Sequence, residues 1–382
     1  MKKICIYTAN RSEYTRLRTV MEGVQRHPEL QLMVVVGGAH LLERYGMTIT
    51  EIERDGFPIV DRVYTVIEGS SLESMSKSAG LAIIELTKSF TQIKPDMLVV
   101  IGDRYDMLPA VITAAYLNIR VAHIQGGEKS GTIDESIRHA VSKLSHLHFP
   151  ATPDGKELLI QMGEEPSRVF VTGCPSIDIL LNVPEIDKKT LFSMSPIPSK
   201  RGRFAPDHTK DYIMCVQHPV TTEYADSYDQ MTQTLEALRQ AQLQTILIYP
   251  NLDAGSNQMV KALQHFSLKY KTDDWLFCYK HIPTDIFINL MRYAVCLVGN
   301  SSSGIRESCY LGLPTLNIGT RQKNRVRGKN VIDIEHSADK ILQTIRSQIY
   351  TGRYPVEHLY GDGCAGSRIA DLLASVVVEV QK

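Results

Sequence analysis

Residues 123–139 read HIQGGEKSGTIDESIRH, which sets Gln125, Glu128, Asp134, Glu135, Arg138 and His139 around three glycines. Carboxylates, a guanidinium and an imidazole at this density are groups that take and return protons. Gly126 and Gly127 let the backbone approach a ligand closely, and Gly131-Thr132 leads into a helix with Asp134 near its start. His123, His139, His146 and His148 make a metal centre the rival reading. Their spacing follows neither HExxH nor a Cys/His finger, so no metal is expected.

Further polar clusters each follow an apolar run. TANRSEYTR lacks GxGxxG and is no dinucleotide fingerprint. Arg11 and Thr15, four apart, share one face of a helix start, where an arginine suits a diphosphate; surface charge at a solvated helix start explains them equally well. In IGDRYD, Asp103 stands at the mouth of a buried strand, a place that raises a carboxyl pKa toward acid/base use and also suits a helix N-cap. VQHPVTTE places His218, and YPNLDAGS places Asn251 and Asp253, at similar positions. In VGNSSSGIRE a strand runs into hydroxyl residues and then a helix expected to begin near Ser303. Hydroxyls, free N–H groups and a helix N-terminus hold phosphate, Glu307 can accept from ribose hydroxyls, and GTRQKNRVRG adds Arg321 and Lys323.

These clusters need a scaffold that brings strand ends together. The chain alternates short apolar runs with longer amphipathic segments, the pattern of α/β layers with mostly parallel sheets. Expected strands in the first half are ICIYT, LMVVVG, MLVVIGD, RVAHI and RVFVTG, with helices such as LESMSKSAGLAIIELTKSFTQI and DMLPAVITAAYLN between them. The second series is YIMCVQHP, TILIYPN, WLFCYK, AVCLVGNSSSG, PTLNIGT and NVIDI. Two doubly wound, Rossmann-type domains facing a central cleft are the expectation. Residues 1–182 form the first and 211–360 the second, with a proline-rich linker and excursion over 183–210. A last helix within 361–382 is expected to pack back on the first domain.

A chain of 382 residues suits two such domains. With 42 basic and 42 acidic residues and no block of like charge, bulk binding of nucleic acid or an anionic membrane is not expected. No apolar stretch reaches the roughly eighteen residues of a membrane span, and MKKICIYTANRSEY is no signal peptide, so a cytoplasmic protein is expected. The seven scattered cysteines read as buried free thiols.

The ordered set NRSEYTRL, GAHLLERYG, GDRYD, GGEKSGTIDESIRHAVSKLSHLH, QHPVTTE, PNLDAGS, GNSSSGIRE and GTRQKNR, spanning nearly the whole chain, resembles the hydrolysing UDP-N-acetylglucosamine 2-epimerases. The resemblance implies a GT-B-like fold, UDP held mostly by the second domain, and release of N-acetylmannosamine and UDP without cofactor or metal. It implies a UDP-sugar as the small-molecule partner and a homodimer or homotetramer, for which the long helix LESMSKSAGLAIIELTKSF is a candidate interface. Residue by residue, it assigns the UDP part to Arg11, Thr15, Arg104, His218, Asn251, Ile282, Ser301, Ser302, Glu307 and Arg321. His40, Asp103, Glu128 and Asp134 come to the sugar side, Arg138 and His139 join the substrate- or UDP-binding set, and His218 joins the catalytic set. Many members read HIEGGE where this chain has Gln125, a side chain that cannot ionise, so proton transfer moves to Glu128, Asp103 and Asp134. A glycosyltransferase on the same fold, a non-hydrolysing epimerase and a hydrolysing epimerase of nucleotide-linked N,N'-diacetylbacillosamine are the rival readings.

Overall fold

The computed structural model describes residues 1–67, 69, 71–194, 205–250, 253–270, 272 and 274–380. The chain divides into two units: Met1–Lys129, Ile133–Leu181 and Tyr360–Lys382 form the first, and Ser130–Thr132 with Asn182–Leu359 the second. In the first, β1 (Lys2–Thr8), β2 (Leu30–Gly37), β3 (Ile59–Val63), β4 (Met97–Ile101), β5 (Arg120–Ile124) and β6 (Leu147–Phe149) form a parallel sheet in the order β3-β2-β1-β4-β5-β6. In the second, β7 (Tyr212–Val216), β8 (Gln244–Ile248), β9 (Leu276–Tyr279), β10 (Cys296–Gly299), β11 (Thr315–Ile318) and β12 (Val331–Ile334) repeat that topology as β12-β11-β10-β7-β8-β9.

Central strands such as β4 and β7 are buried along their whole length, because crossover helices cover both faces of a parallel sheet. Alternate residues feed separate cores: Met97, Val99 and Ile101 lie in one, Leu98 and Val100 in the other. Strand order reverses between β1 and β4 in the first unit and between β7 and β10 in the second. Loops part in opposite directions there, and open α/β sheets bind ligands at such a crevice.

The helix LESMSKSAGLAIIELTKSFTQI forms as Leu72–Ile93, started by a Ser71/Ser74 capping box. RVFVTG is no strand. Val169 makes one isolated bridge to His148, and Gly173, at φ +86°, turns the chain away so that the Cys174 N–H meets the Tyr360 carbonyl at 2.7 Å. The sixth strand is instead β6, and β3 takes the far edge with a half-polar sequence that hides it. Within 183–210, Lys188–Ser193 is a helix whose Leu191 and Phe192 pack in a core of the second unit; residues 195–204 lie outside the described residues.

The last helix, Ala365–Ser375, stops before its valine run. Asp178 accepts the N–H groups of Ala365 and Gly366 at 3.0 and 2.7 Å, satisfying donors that a helix start leaves open. A Cβ on Gly366 would sit 2.5 Å from the Thr19 backbone, so this glycine lets the helix lie directly against helix Arg11–Arg26.

Among the described residues no helix is long and apolar enough to cross a membrane, and no group of three or more His, Cys, Asp or Glu could hold a metal. All seven cysteines are free; Cys278 and Cys364 are exposed, against the expectation of burial, because Cys278 faces outward on β9 and Cys364 precedes the last helix.

Candidate functional site

At the carboxyl end of β4, Gly102 turns the chain at φ +79° and Asp103 follows. The helix it was expected to cap starts at Met107 with Asp106 at the cap position, so Asp103 is no N-cap. Asp103 instead meets Arg138, whose Nη2 donates to its Oδ2 while Nη1 donates to the Glu128 carbonyl. Arg138 is only 1% exposed, and a buried guanidinium needs such partners. Arg138 stands on helix Ile133–Leu144 four residues after Asp134, so the two share a helix face. Asp103 and the Glu128 main chain thus meet at one arginine, with Asp134 on the same helix face.

Gln125 follows β5 at φ +64°, a conformation disfavoured for a side-chain-bearing residue. Its Oε1 accepts from Arg16 at 2.6 Å and its Nε2 donates to Cys174 Sγ at 2.8 Å, so both ends of the buried amide are fixed. Gly127, at φ +74°, could carry no Cβ, since one would lie 2.1 Å from the Gly155 carbonyl. His123 donates from Nε2 to the Gly102 carbonyl (2.8 Å) and accepts from Ser142 (3.0 Å), joining the ends of β4 and β5. Burial lowers its pKa to about 3, so it is neutral. His139 lies 3.8 Å from Glu135, and burial, then Arg138, also lowers its pKa.

After β1, Asn10 caps helix Arg11–Arg26 in a capping box with Glu13. Arg11 and Thr15 stand half-buried in its first turns. Glu13 is fully buried; burial, then Asp106, raises its pKa to about 7, and Arg104 lies 3.5 Å from Asp106 and 4.0 Å from Glu13. His40, after β2, is pinned between Thr8 (2.9 Å) and Thr48 (2.7 Å), and burial lowers its pKa to about 3.

In the second unit, His218 follows β7 and Ser301 follows β10. No helix begins at Ser303: Ser302–Gly304 is a 3₁₀ turn, and the next helix is only Glu307–Leu311. Ser301 caps that turn, its Oγ accepting the Ser303 N–H at 3.3 Å and meeting the Ser303 hydroxyl at 2.9 Å. The strand end thus presents the hydroxyls of Ser301 and Ser302 with little helix dipole, and Glu307 opens the short helix. Ile282 is fully buried in a core of the second unit. Asn251 lies outside the described residues.

The sequence reading missed Arg16, Cys174, Gln322 and Asn300. Asn300 is the largest omission: its side chain accepts the His218 N–H at 2.7 Å and donates to the His218 carbonyl at 2.8 Å. Its own carbonyl accepts from Arg321 (3.2 Å) and Gln322 (3.0 Å). Its place between Gly299 and the serines was the one signal, and it says nothing of a partner 82 residues away.

A sequence profile described as UDP-N-acetylglucosamine 2-epimerase matches residues 22–374. The chain belongs to the UDP-N-acetylglucosamine 2-epimerase family. Among relatives of the chain, the UDP-N,N'-diacetylbacillosamine 2-epimerase (hydrolyzing) of Legionella pneumophila is 34% identical, covering 100% of this chain and 98% of that one. The UDP-N-acetylglucosamine 2-epimerase of Neisseria meningitidis is 32% identical over 95% and 92%. The fold of the chain, a GT-B-like two-domain α/β architecture, matches the crystal structure of a Neisseria meningitidis UDP-GlcNAc 2-epimerase bound to UDP-GlcNAc, with a TM-score of 0.79 at 19% identity over 98% and 100% of the two chains. A Methanocaldococcus jannaschii UDP-GlcNAc 2-epimerase in complex with UDP-GlcNAc and UDP gives 0.78 at 18%, over 98% and 100%.

Proposed function

We propose that this epimerase is of the hydrolysing type, converting UDP-N-acetylglucosamine and water to N-acetylmannosamine and UDP, the first step toward a sialic acid. The observation that carries the reading is Arg138 holding Asp103 beside the Glu128 segment, in a chain whose relatives from Legionella and Campylobacter are named as hydrolysing.

The sugar C2 hydrogen is scarcely acidic, so a base must act on it as the C1–O bond to UDP breaks. The product is 2-acetamidoglucal, with a C1=C2 double bond. Water then adds its oxygen at C1, and a proton reaches C2 on the face opposite to the one that lost it. Two faces require two positioned acid/base groups, drawn from Asp103, Glu128 and Asp134. Gln125 cannot ionise and acts by holding Arg16. Ser301, Ser302, His218 and Arg321 stabilise the diphosphate as charge develops on it; Arg11, Thr15, Arg104, Asn251, Ile282 and Glu307 complete the UDP-binding set, and His40 and His139 the sugar-binding set. The balance is redox-neutral and calls for no redox cofactor. The free thiols fit a reducing, cytoplasmic setting, and we expect a homodimer or homotetramer.

The test is the protein with UDP-N-acetylglucosamine in chelator-treated D2O, followed by NMR. Free N-acetylmannosamine carrying deuterium at C2 is the expected product; unlabelled product would defeat the proton-abstraction mechanism, and UDP-N-acetylmannosamine would show a non-hydrolysing enzyme. A second reading, UDP-N,N'-diacetylbacillosamine as substrate, is favoured by the two 34% identical relatives named for that sugar, and faster turnover of it would replace the first.

A further inference from the structure

We infer that Asn300 is a positioning residue for the diphosphate end of the substrate, acting through His218 and Arg321; this rests on the reading of the second unit as the UDP-binding one. Strands β7 and β10 pair in parallel register up to Val216 opposite Gly299. Gly299, at φ +135°, would put a Cβ 2.1 Å from the Val216 carbonyl, so the two strand ends come this close only with glycine there. Asn300 follows, and its N–H donates to the same carbonyl at 3.1 Å.

Beyond that point the ladder is continued by a side chain. The Asn300 carboxamide accepts from the His218 N–H and donates to the His218 carbonyl, as a neighbouring peptide would. Its main-chain carbonyl takes the Arg321 guanidinium and the Gln322 amide from the loop after β11. From the loop that carries Ser301, the carboxamide and carbonyl of Asn300 are therefore spent on two other strand-end loops, those carrying His218 and Arg321. At 1% exposure it is too deep to be a ligand-binding group in its own right. Its loops lie where the strand order reverses, so a slack loop there misplaces a phosphate-binding group rather than a surface turn.

The experiment compares Asn300→Ala and the near-isosteric Asn300→Asp with Asn330→Ala. Asn330 is a buried asparagine of the same unit whose amide donates to Leu313 (2.7 Å) and Ser308 (3.0 Å), and it serves as the stability control. UDP affinity by calorimetry, kcat and KM for UDP-N-acetylglucosamine, and Tm are measured on each full-length protein. Losing two hydrogen bonds to loop geometry should raise the UDP Kd of Asn300→Ala roughly 30-fold and raise KM with it. Asn300→Asp keeps the acceptor but turns a carboxylate on the His218 carbonyl, and should weaken UDP at least as much with a small change in Tm. Asn330→Ala should lower Tm while Kd stays within about threefold. In a His218→Ala background, the Asn300→Ala penalty on Kd should shrink, the non-additivity of residues acting as one unit.

Both Asn300 variants binding UDP as the wild type does, or penalties that add in full with His218→Ala, would overturn the inference. Should Asn300→Ala not fold, Asn300→Asp decides alone. A wild-type protein with no affinity for UDP would instead refute the functional reading.

Discussion

Arg138 and Asp103, 35 residues apart, are joined by a charge-assisted hydrogen bond, and the other amine of Arg138 holds the Glu128 carbonyl. One buried cation thus fixes a strand-end carboxylate and the loop that carries a second. Lysine has a single ammonium and cannot serve both partners with the planar fork of arginine. Arg138→Lys should lower kcat/KM by roughly 100-fold while UDP binding is retained, measured by initial rates and calorimetry. Undiminished turnover would show that the pairing is structural only.

Asp103→Asn and Glu128→Gln remove ionisable oxygens with little change of shape. Each should reduce kcat by about 100-fold or more and leave UDP affinity within about threefold, because the proposed function assigns UDP to other residues. Full activity in Glu128→Gln would return the acid/base assignment to Asp103 and Asp134.

Gln125 accepts a 2.6 Å hydrogen bond from Arg16, and a carboxylate there would be an ion-pair partner. Gln125→Glu should fold with near-native Tm and add an ionisation to the pH profile of kcat/KM that the wild type lacks. An unchanged profile would mean that the side chain is remote from the chemistry.

His40 and His123 have folded pKa values lowered to about 3 from an ordinary 6.5, both mainly by burial. Between those values the unfolded chain binds more protons, so their contribution is complete above pH 6.5 and is lost as pH falls through it toward 3. Glu13 works the other way: raised to about 7 from 4.5, it is protonated in the fold where the unfolded chain is ionised, and stability falls as pH rises across that window. Two histidines outweigh one carboxyl between pH 4.5 and 6.5, so Tm should fall on acidification from pH 6.5 to 5. His123→Gln should flatten that slope by about one proton, roughly 1.4 kcal/mol per pH unit. Parallel slopes would show that His123 does not titrate on unfolding.

Gly127 has φ +74° and faces the Gly155 carbonyl with no room for a Cβ. Gly127→Ala should cost about 3 kcal/mol or more in chemical denaturation and abolish turnover, since Glu128 is the next residue. An active, stable variant would show that the loop can relax.

Much of the architecture is local and could be read directly. Apolar runs of four to eight residues mark buried strands because parallel sheets are covered on both faces, and five of the six strands of the second unit fall within the runs named for them, β8 starting one residue earlier. Helix Leu72–Ile93 is legible because its cap and apolar stripe lie in one continuous segment. RVFVTG shows the limit: its composition suits a strand, yet whether it pairs depends on a turn at Gly173 and a partner at Tyr360. Ser303 shows another, since hydroxyls that suit a helix start do not say whether the turn they cap continues as a helix.

By itself the sequence determined the layer class, the strand ends and the kinds of group that stand there, since periodicity and residue chemistry are properties of short windows. Only the tertiary structure decided which of those groups meet. Arg138 with Asp103, Arg16 with Gln125 and Asn300 with His218 are separated by 35, 109 and 82 residues. The order of strands in a parallel sheet follows from how crossover helices pack, and no local pattern encodes it. The partners at a strand end are therefore chosen by the fold.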